Sequence, residues 1–182
     1  MKRAGELNAV LLDAEGLQAT LSRLAREISE RVPADRLAMV GIQSGGVIIA
    51  KRLCRELEAL TGVTPAFGTV DISLYRDDLA QATHFPELKS TDVMFEVDGR
   101  EIVLVDDVLY TGRTIRSALD ALMDLGRPRA VRLAVLMDRG GRELPIAPDF
   151  VGQQVVALPK QSVTVQYAET DGTDQVILED LP

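Results

Sequence analysis

Two adjacent carboxylates, Asp106 and Asp107, close the β-branched apolar run Glu101-Ile102-Val103-Leu104-Val105. At the end of a buried strand they repel one another and lose hydration, so they call for hydroxyl or cationic partners. Just beyond them, Thr111-Gly112-Arg113-Thr114 combines a flexible glycine, two hydroxyls and the first backbone N–H groups of a helix, which together suit a phosphate monoester. A ligand reaching from one to the other would carry hydroxyls or a metal at one end and a phosphate at the other, as a ribose phosphate does. Taken singly, the acidic pair could cap a loop and the threonine-glycine segment could merely begin a helix; the continuous string favours a ligand. A third segment, Gln43-Ser44-Gly45-Gly46, is a glycine turn that fits either close packing or an anion at a helix start. No glycine-rich loop ends in Lys-Ser or Lys-Thr, and the glycines near Gly41 lack dinucleotide-fingerprint spacing.

The elements that must position these residues follow from periodicity. Leu17, Leu21, Leu24, Ile28 and Val32 recur every three or four residues, with Asp13 as cap and Pro33 as stop, which predicts an amphipathic first helix. The run Leu37-Ala38-Met39-Val40-Gly41-Ile42 predicts a strand leading into the glycine turn, after which Val47, Ile49, Ala50, Leu53, Leu57 and Leu60 resume helical spacing. An extended run from Pro65 to Ile72 precedes a polar stretch over residues 73–90, expected as an exposed mobile loop or hairpin. The run over residues 101–105 is expected to end at the acidic pair, with a helix over 115–125 and another strand over 131–136. Short extended pieces are expected around 151–157 and 163–167. Alternating strands and helices predict an α/β domain with a largely parallel central sheet flanked by helices. In such a sheet ligands lie beyond the carboxyl ends of the strands, where all three unusual turns fall.

Composition narrows the function classes. The 182 residues, 46% hydrophobic and 26% charged, suffice for one packed core, so residues 1–182 are read as a single domain. A net charge of −8 disfavours broad nucleic-acid binding, and the absence of tryptophan disfavours a base-stacking platform. No apolar run has the length of a membrane span, and the first residues, Met1 to Glu6, contain no apolar run, so a cytoplasmic protein is expected. Cys54 sits in a periodic apolar segment, expected as a buried structural thiol, and the lone His84 as a solvent-exposed spacer.

The string Val103-Leu104-Val105-Asp106-Asp107-Val108-Leu109-Tyr110-Thr111-Gly112-Arg113-Thr114 resembles the phosphoribosyl pyrophosphate (PRPP) signature of type I phosphoribosyltransferases. Asp71-Ile72-Ser73-Leu74-Tyr75-Arg76-Asp77-Asp78, with Arg139-Gly140-Gly141-Arg142-Glu143-Leu144-Pro145-Ile146, narrows the resemblance to the pyrimidine operon attenuator and uracil phosphoribosyltransferase family, PyrR. It runs from about Ala9 to Tyr167. The resemblance implies a type I phosphoribosyltransferase fold with a small hood, the hood and C-terminal strands being assigned here to residues 140–182, and formation of UMP and pyrophosphate from uracil and PRPP. It implies that Asp106 and Asp107 hold the ribose and that residues 108–114 (Val108, Leu109, Tyr110, Thr111, Gly112, Arg113 and Thr114) cradle the sugar phosphate. Ser44 and Gly45 would hold pyrophosphate, and Arg76 would close over the leaving group on a mobile loop. Asp106, Asp107 and Arg76 are thus the candidate catalytic residues, with Arg139 and Val163 bordering the nucleobase. Mg²⁺ is implied as cofactor, carried on substrate oxygens with Asp106 and Asp107 available to it. PRPP, uracil, UMP and UTP are the implied ligands, and a homodimer or higher homo-oligomer the implied assembly.

The same family implies a leader-mRNA partner and control of pyrimidine genes. This chain carries Gly141, Ala147 and Gln153 where attenuating members tend to carry basic or histidine side chains, and Ser44-Gly45-Gly46 where the turn often reads Thr-Arg-Gly. Losing cations weakens phosphate contact directly. Arg23, Arg26, Arg31, Arg142 and Lys160 are the residual candidates for a basic face. A nucleotide-sensing RNA attenuator and a transferase for another base are the competing expectations.

Overall fold

The computed structural model describes residues 9–73 and 91–181. A short strand, β1 (Ala9–Leu12), precedes α1 (Ala14–Arg31), whose first turn is fixed by Asp13: its Oδ1 accepts from the Gly16 N–H at 2.8 Å. The cap and the period read from the sequence are both present, and Leu17, Leu21, Leu24 and Ile28 are fully buried. Each such side chain contributes about 1.5–3 kcal/mol. Next come β2 (Leu37–Ile42), α2 (Gly45–Thr61), β3 (Ala66–Val70) and β4 (Glu101–Leu109). They are followed by α3 (Arg113–Leu125), β5 (Ala130–Asp138), β6 (Phe150–Gln154), β7 (Gln161–Gln166), α4 (Ala168–Asp171) and β8 (Gln175–Asp180).

Five strands form a parallel sheet in the order β3-β2-β4-β5-β6. The residues of β2 and most of β4 are buried on both faces, which is why they read as unbroken apolar runs rather than alternating ones. On one face, α1 and α2 pack against Met39, Val103, Val105 and Leu136; on the other, α3 packs with Ile115, Ala118 and Leu122 against Ala38, Val40, Ile102 and Leu104. The type I phosphoribosyltransferase architecture expected from the sequence is thereby realised, with a small antiparallel sheet, β1-β8-β7, as its hood.

One expectation changes. The β4 strand does not stop at the acidic pair but continues to Leu109, because β5 extends alongside it and pairs Asp106 with Val135 and Leu109 with Asp138. The β2 partner ends earlier, its last register with β4 being Gly41 against Val105. The carboxylates therefore stand where β4 has lost one neighbour and kept the other. Of the hood and C-terminal strands expected over residues 140–182, β7 and β8 lie in the small sheet and β6 pairs in parallel with β5 in the main one, while the N-terminal β1 joins the small sheet. The β1, β8 and α4 elements, too short for a periodic signal, were not expected. Residues 74–90, including Arg76 and His84, lie outside the described residues.

Candidate functional site

At the open end of the sheet, β4, α2, α3 and the chain after β7 converge. Asp106 is only 7% exposed, and no cation among the described residues pairs with it. Its Oδ1 accepts the Asp107 N–H at 3.0 Å, while burial, and then the neighbouring Asp107 charge, push its pKa well above the ordinary carboxylate range. Asp107 is held on both oxygens: Oδ1 accepts the Val108 N–H at 2.8 Å, and Oδ2 accepts the Tyr167 hydroxyl at 3.3 Å. Tyr167 is itself buried, 4% exposed; burial and the Asp107 charge raise its pKa, so it remains a donor.

The glycine turn meets this pair from β2. A Cβ on Gly45 would lie 2.0 Å from Asp107 Oδ2, and one on Gly46 would lie 2.3 Å from the Val105 carbonyl oxygen. Gly46 is thus a packing glycine, as one reading of the turn has it, while Gly45 brings bare backbone onto the carboxylate. The Gln43–Ser44 peptide is cis, and Ser44 precedes the first turn of α2 on the exposed side.

Beyond β4, Gly112 has φ +93°, a left-handed conformation that L side chains rarely adopt, and it starts α3 directly after the strand end. The Thr111 Oγ1 accepts the Arg113 N–H at 3.3 Å. Arg113 and Thr114 are exposed at the helix start, where the first N–H groups have no intrahelical acceptor. The segment after β5 folds over this turn: Glu143 and Leu144 donate their N–H groups to the Thr111 carbonyl, and Glu143 pairs with Arg113 at 2.7 Å.

At the end of β5, the Arg139 guanidinium stacks on the Tyr110 ring, 3.7 Å from its centroid, and its buried Nε has no hydrogen-bond partner among the described residues. Nearby, Asp138, Gly140, Gln154, Val155 and Val156 line an open depression at the ends of β5 and β6. Val163 lies on β7 opposite Leu178 and packs against the α1–α2 side of the core. The structure therefore gathers Ser44, Gly45, Asp106, Asp107 and Tyr110 to Thr114 at one edge; Val163 is not in the lining of that depression. Val108 is half-buried and packs against the core, and Leu109 is buried. Among the described residues, no three His, Cys, Asp or Glu side chains cluster as a metal cage.

A phosphoribosyl transferase domain model matches residues 9–170. The bifunctional protein PyrR of Pelotomaculum thermopropionicum is 48% identical over 171 residues, covering 93% of this chain and 94% of that protein. That of Deinococcus deserti is 49% identical over 174 residues, 95% of each. This chain belongs to the PyrR family of phosphoribosyl transferase domains. The family named from the strings at 71–78, 103–114 and 139–146 is the one that the comparisons return. The fold extends further than the sequence likeness: a hypoxanthine-guanine phosphoribosyltransferase from Bacillus anthracis superposes with a TM-score of 0.71 at 20% identity, over 95% of this chain and 98% of that one. The hypoxanthine phosphoribosyltransferase of Trypanosoma cruzi gives 0.68 at 18% identity, over 95% and 96%.

Sequence reasoning missed a neighbour of the acidic pair, Tyr167. It stands at the end of the extended piece expected around 163–167, 60 residues from Asp107, and periodicity carries no signal for such a long-range contact. Arg52, also missed, stacks beneath the Tyr167 ring at 5.7 Å and pairs with Glu169 and Asp174.

Proposed function

We propose that this chain transfers the phosphoribosyl group of PRPP to uracil, forming UMP and pyrophosphate. The observation that carries the proposal is Asp106, buried and without a cation partner among the described residues, beside the anchored Asp107 and between the starts of two helices. Carboxylates in that position accept hydrogen bonds from ribose hydroxyls, which would relieve the desolvation of both. The sugar phosphate would then rest on the N–H groups at the start of α3, framed by Thr111, Gly112, Arg113 and Thr114, and the pyrophosphate on Ser44 and Gly45 at the start of α2.

In the reaction the bond from C1′ of the ribose to the pyrophosphate oxygen breaks and a bond from C1′ to a uracil nitrogen forms, with pyrophosphate leaving with the electron pair and the proton of that nitrogen released to solvent. Positive charge builds on the ribose ring, so the carboxylates below it act electrostatically as well as by holding hydroxyls. Catalysis is positioning and charge stabilisation; no described side chain stands as a nucleophile. Arg76 is assigned to the departing pyrophosphate on the family likeness. Arg139, fixed by its stack on Tyr110 with a donor unspent among the described residues, is assigned to the base, and Val163 is assigned to it on the family likeness alone.

The donor set fits Mg²⁺, a hard cation that takes one or two carboxylates and completes its shell with substrate oxygens and water. Asp106 and Asp107 would be its protein contacts, and when bound it neutralises pyrophosphate charge. We assign the active form to a homodimer or higher homo-oligomer in the cytoplasm on the same likeness.

The leader-RNA activity implied by the family resemblance has less to stand on in this chain. Arg23 pairs with Glu27 at 2.7 Å and donates to the Val151 and Gly152 carbonyls, and Arg31 donates to the Asp149 carbonyl at 3.2 Å. Arg142 is tied to Asp138 at 2.8 Å and to the Ile146 and Tyr110 carbonyls. Three of the five candidate cations are thus engaged within the fold. The test is UMP production by purified protein from uracil and PRPP with Mg²⁺, beside hypoxanthine, adenine and orotate. Uracil-selective turnover abolished by EDTA is expected; nucleotide binding without turnover on any base would shift the function to nucleotide sensing.

A further inference from the structure

We infer that Tyr167 is a positioning residue for the ribose site, holding Asp107 in the orientation that receives the sugar and tying the hood to that end of the ligand. The inference rests on the assignment of Asp107 to ribose. Three independent placements converge on the Asp107 carboxylate. Its own strand supplies the Val108 N–H to Oδ1, the α2 turn closes on Oδ2 through the bare Cα of Gly45, and the Tyr167 hydroxyl donates to Oδ2 from the far side of the fold. A Cβ at Gly45 would also lie 3.1 Å from that hydroxyl, so β4, α2 and the end of β7 meet at one point.

Tyr167 is itself fixed. Its N–H donates to Asp171 Oδ2 at 2.8 Å and the next N–H, of Ala168, donates to Asp174 Oδ1 at 2.8 Å. Arg52 lies under its ring and pairs with Asp174 at 2.7 Å and with Glu169. A phenol immobilised in this way has little rotational freedom left to lose on holding a carboxylate, whereas an apolar ring would need none of this apparatus to fill the same volume. Among the described residues Asp106 is met only from its neighbour Asp107, whose backbone N–H donates to its Oδ1, and from no side chain outside its own strand. The two carboxylates are therefore unlike, Asp107 oriented from outside its strand and Asp106 left to its surroundings.

The test uses the full chain with Mg²⁺ and compares Tyr167→Phe, Asp107→Asn and the double variant by titrating PRPP and by steady-state kinetics. Phenylalanine keeps the ring on Arg52, so the fold is retained and only the hydroxyl is removed. At 3.3 Å the bond is long, so the effect falls below the range for a short bond to a charged group, at about fivefold. Tyr167→Phe is expected to weaken PRPP about fivefold in Kd and KM while leaving KM for uracil unchanged. In the Asp107→Asn background the same substitution is expected to change PRPP affinity less than about twofold, the non-additivity of residues that act through one another. Asp107→Asn weakening PRPP while Tyr167→Phe does nothing would overturn the inference and leave the ribose assignment standing. Two effects that multiply independently would also overturn it. Unchanged PRPP affinity in Asp107→Asn would remove the ribose assignment and the inference together.

Discussion

The β4 strand carries a buried acidic residue at each end, and the two are treated differently. Glu101, at the start, is 8% exposed and faces two guanidinium groups, Arg132 at 3.3 Å and Arg129 at 3.7 Å. Asp106, near the other end, is 7% exposed and, among the described residues, has a second carboxylate as neighbour instead of a cation. The same strand thus compensates one buried charge within the protein and leaves the other to be satisfied from outside. A compensated carboxylate belongs to the fold; an uncompensated one, at the ligand edge of a parallel sheet, belongs to the site.

The largest expected effect comes from removing the uncompensated pair. Asp106→Asn with Asp107→Asn should lower UMP formation roughly a thousandfold, the loss of two sets of hydrogen bonds to charged groups at about 1.5–3 kcal/mol each. The unfolding midpoint should not fall. For Asp106 the folded pKa lies above the unfolded value, so its cost is absent below the unfolded pKa near about 3.9, grows as pH rises toward the folded pKa, and is full above it. At neutral pH the double variant should therefore melt at or above wild type, read by thermal unfolding.

A smaller loss is expected from crowding the site without touching its charge. Gly45→Ala puts a methyl group into the space of Asp107 Oδ2, and turnover should drop about ten- to a hundredfold, with about 1–3 kcal/mol lost in a denaturant melt. Unaltered kinetics in this variant would show that the carboxylate does not need its present orientation.

The opposite end of β4 should respond in stability alone. Glu101→Gln leaves Arg129 and Arg132 with a weaker partner; because both arginines reach solvent, a loss of about 1 kcal/mol is expected, with kcat and KM unchanged. The smallest effect is acid-dependent. Arg52 holds Asp174 and Glu169 below their ordinary pKa values, so these carboxylates contribute stability above their unfolded pKa values of about 4, lost as pH falls through the folded ones. Both are partly solvated and screened, so Arg52→Leu should cost about 1 kcal/mol or less at pH 7, and the gap to wild type should close below about pH 4.

Much of the sheet was legible in the sequence because its central strands are buried on both faces and its helices keep a strict three-to-four spacing; Asp13 even marked its own helix start. The acidic pair and the threonine-glycine turn were legible because they are contiguous. What stayed hidden was short or distant. The β1 and β8 strands are partly exposed and pair only with one another and β7, so no long apolar run announces them. The strand end at Leu109 is decided by a neighbour, β5, rather than by the polarity of Asp106 and Asp107. Tyr167 reaches Asp107 only because the hood folds back over α2, a contact that no local pattern encodes.

The contrast between the two ends of β4 is tested most directly by titrating PRPP with Mg²⁺ into three proteins: wild type, Glu101→Gln, and Asp106→Asn with Asp107→Asn. Equal affinity in the first two and loss of binding in the third is the expected result; three equal affinities would contradict the assignment of the uncompensated carboxylates to the ribose.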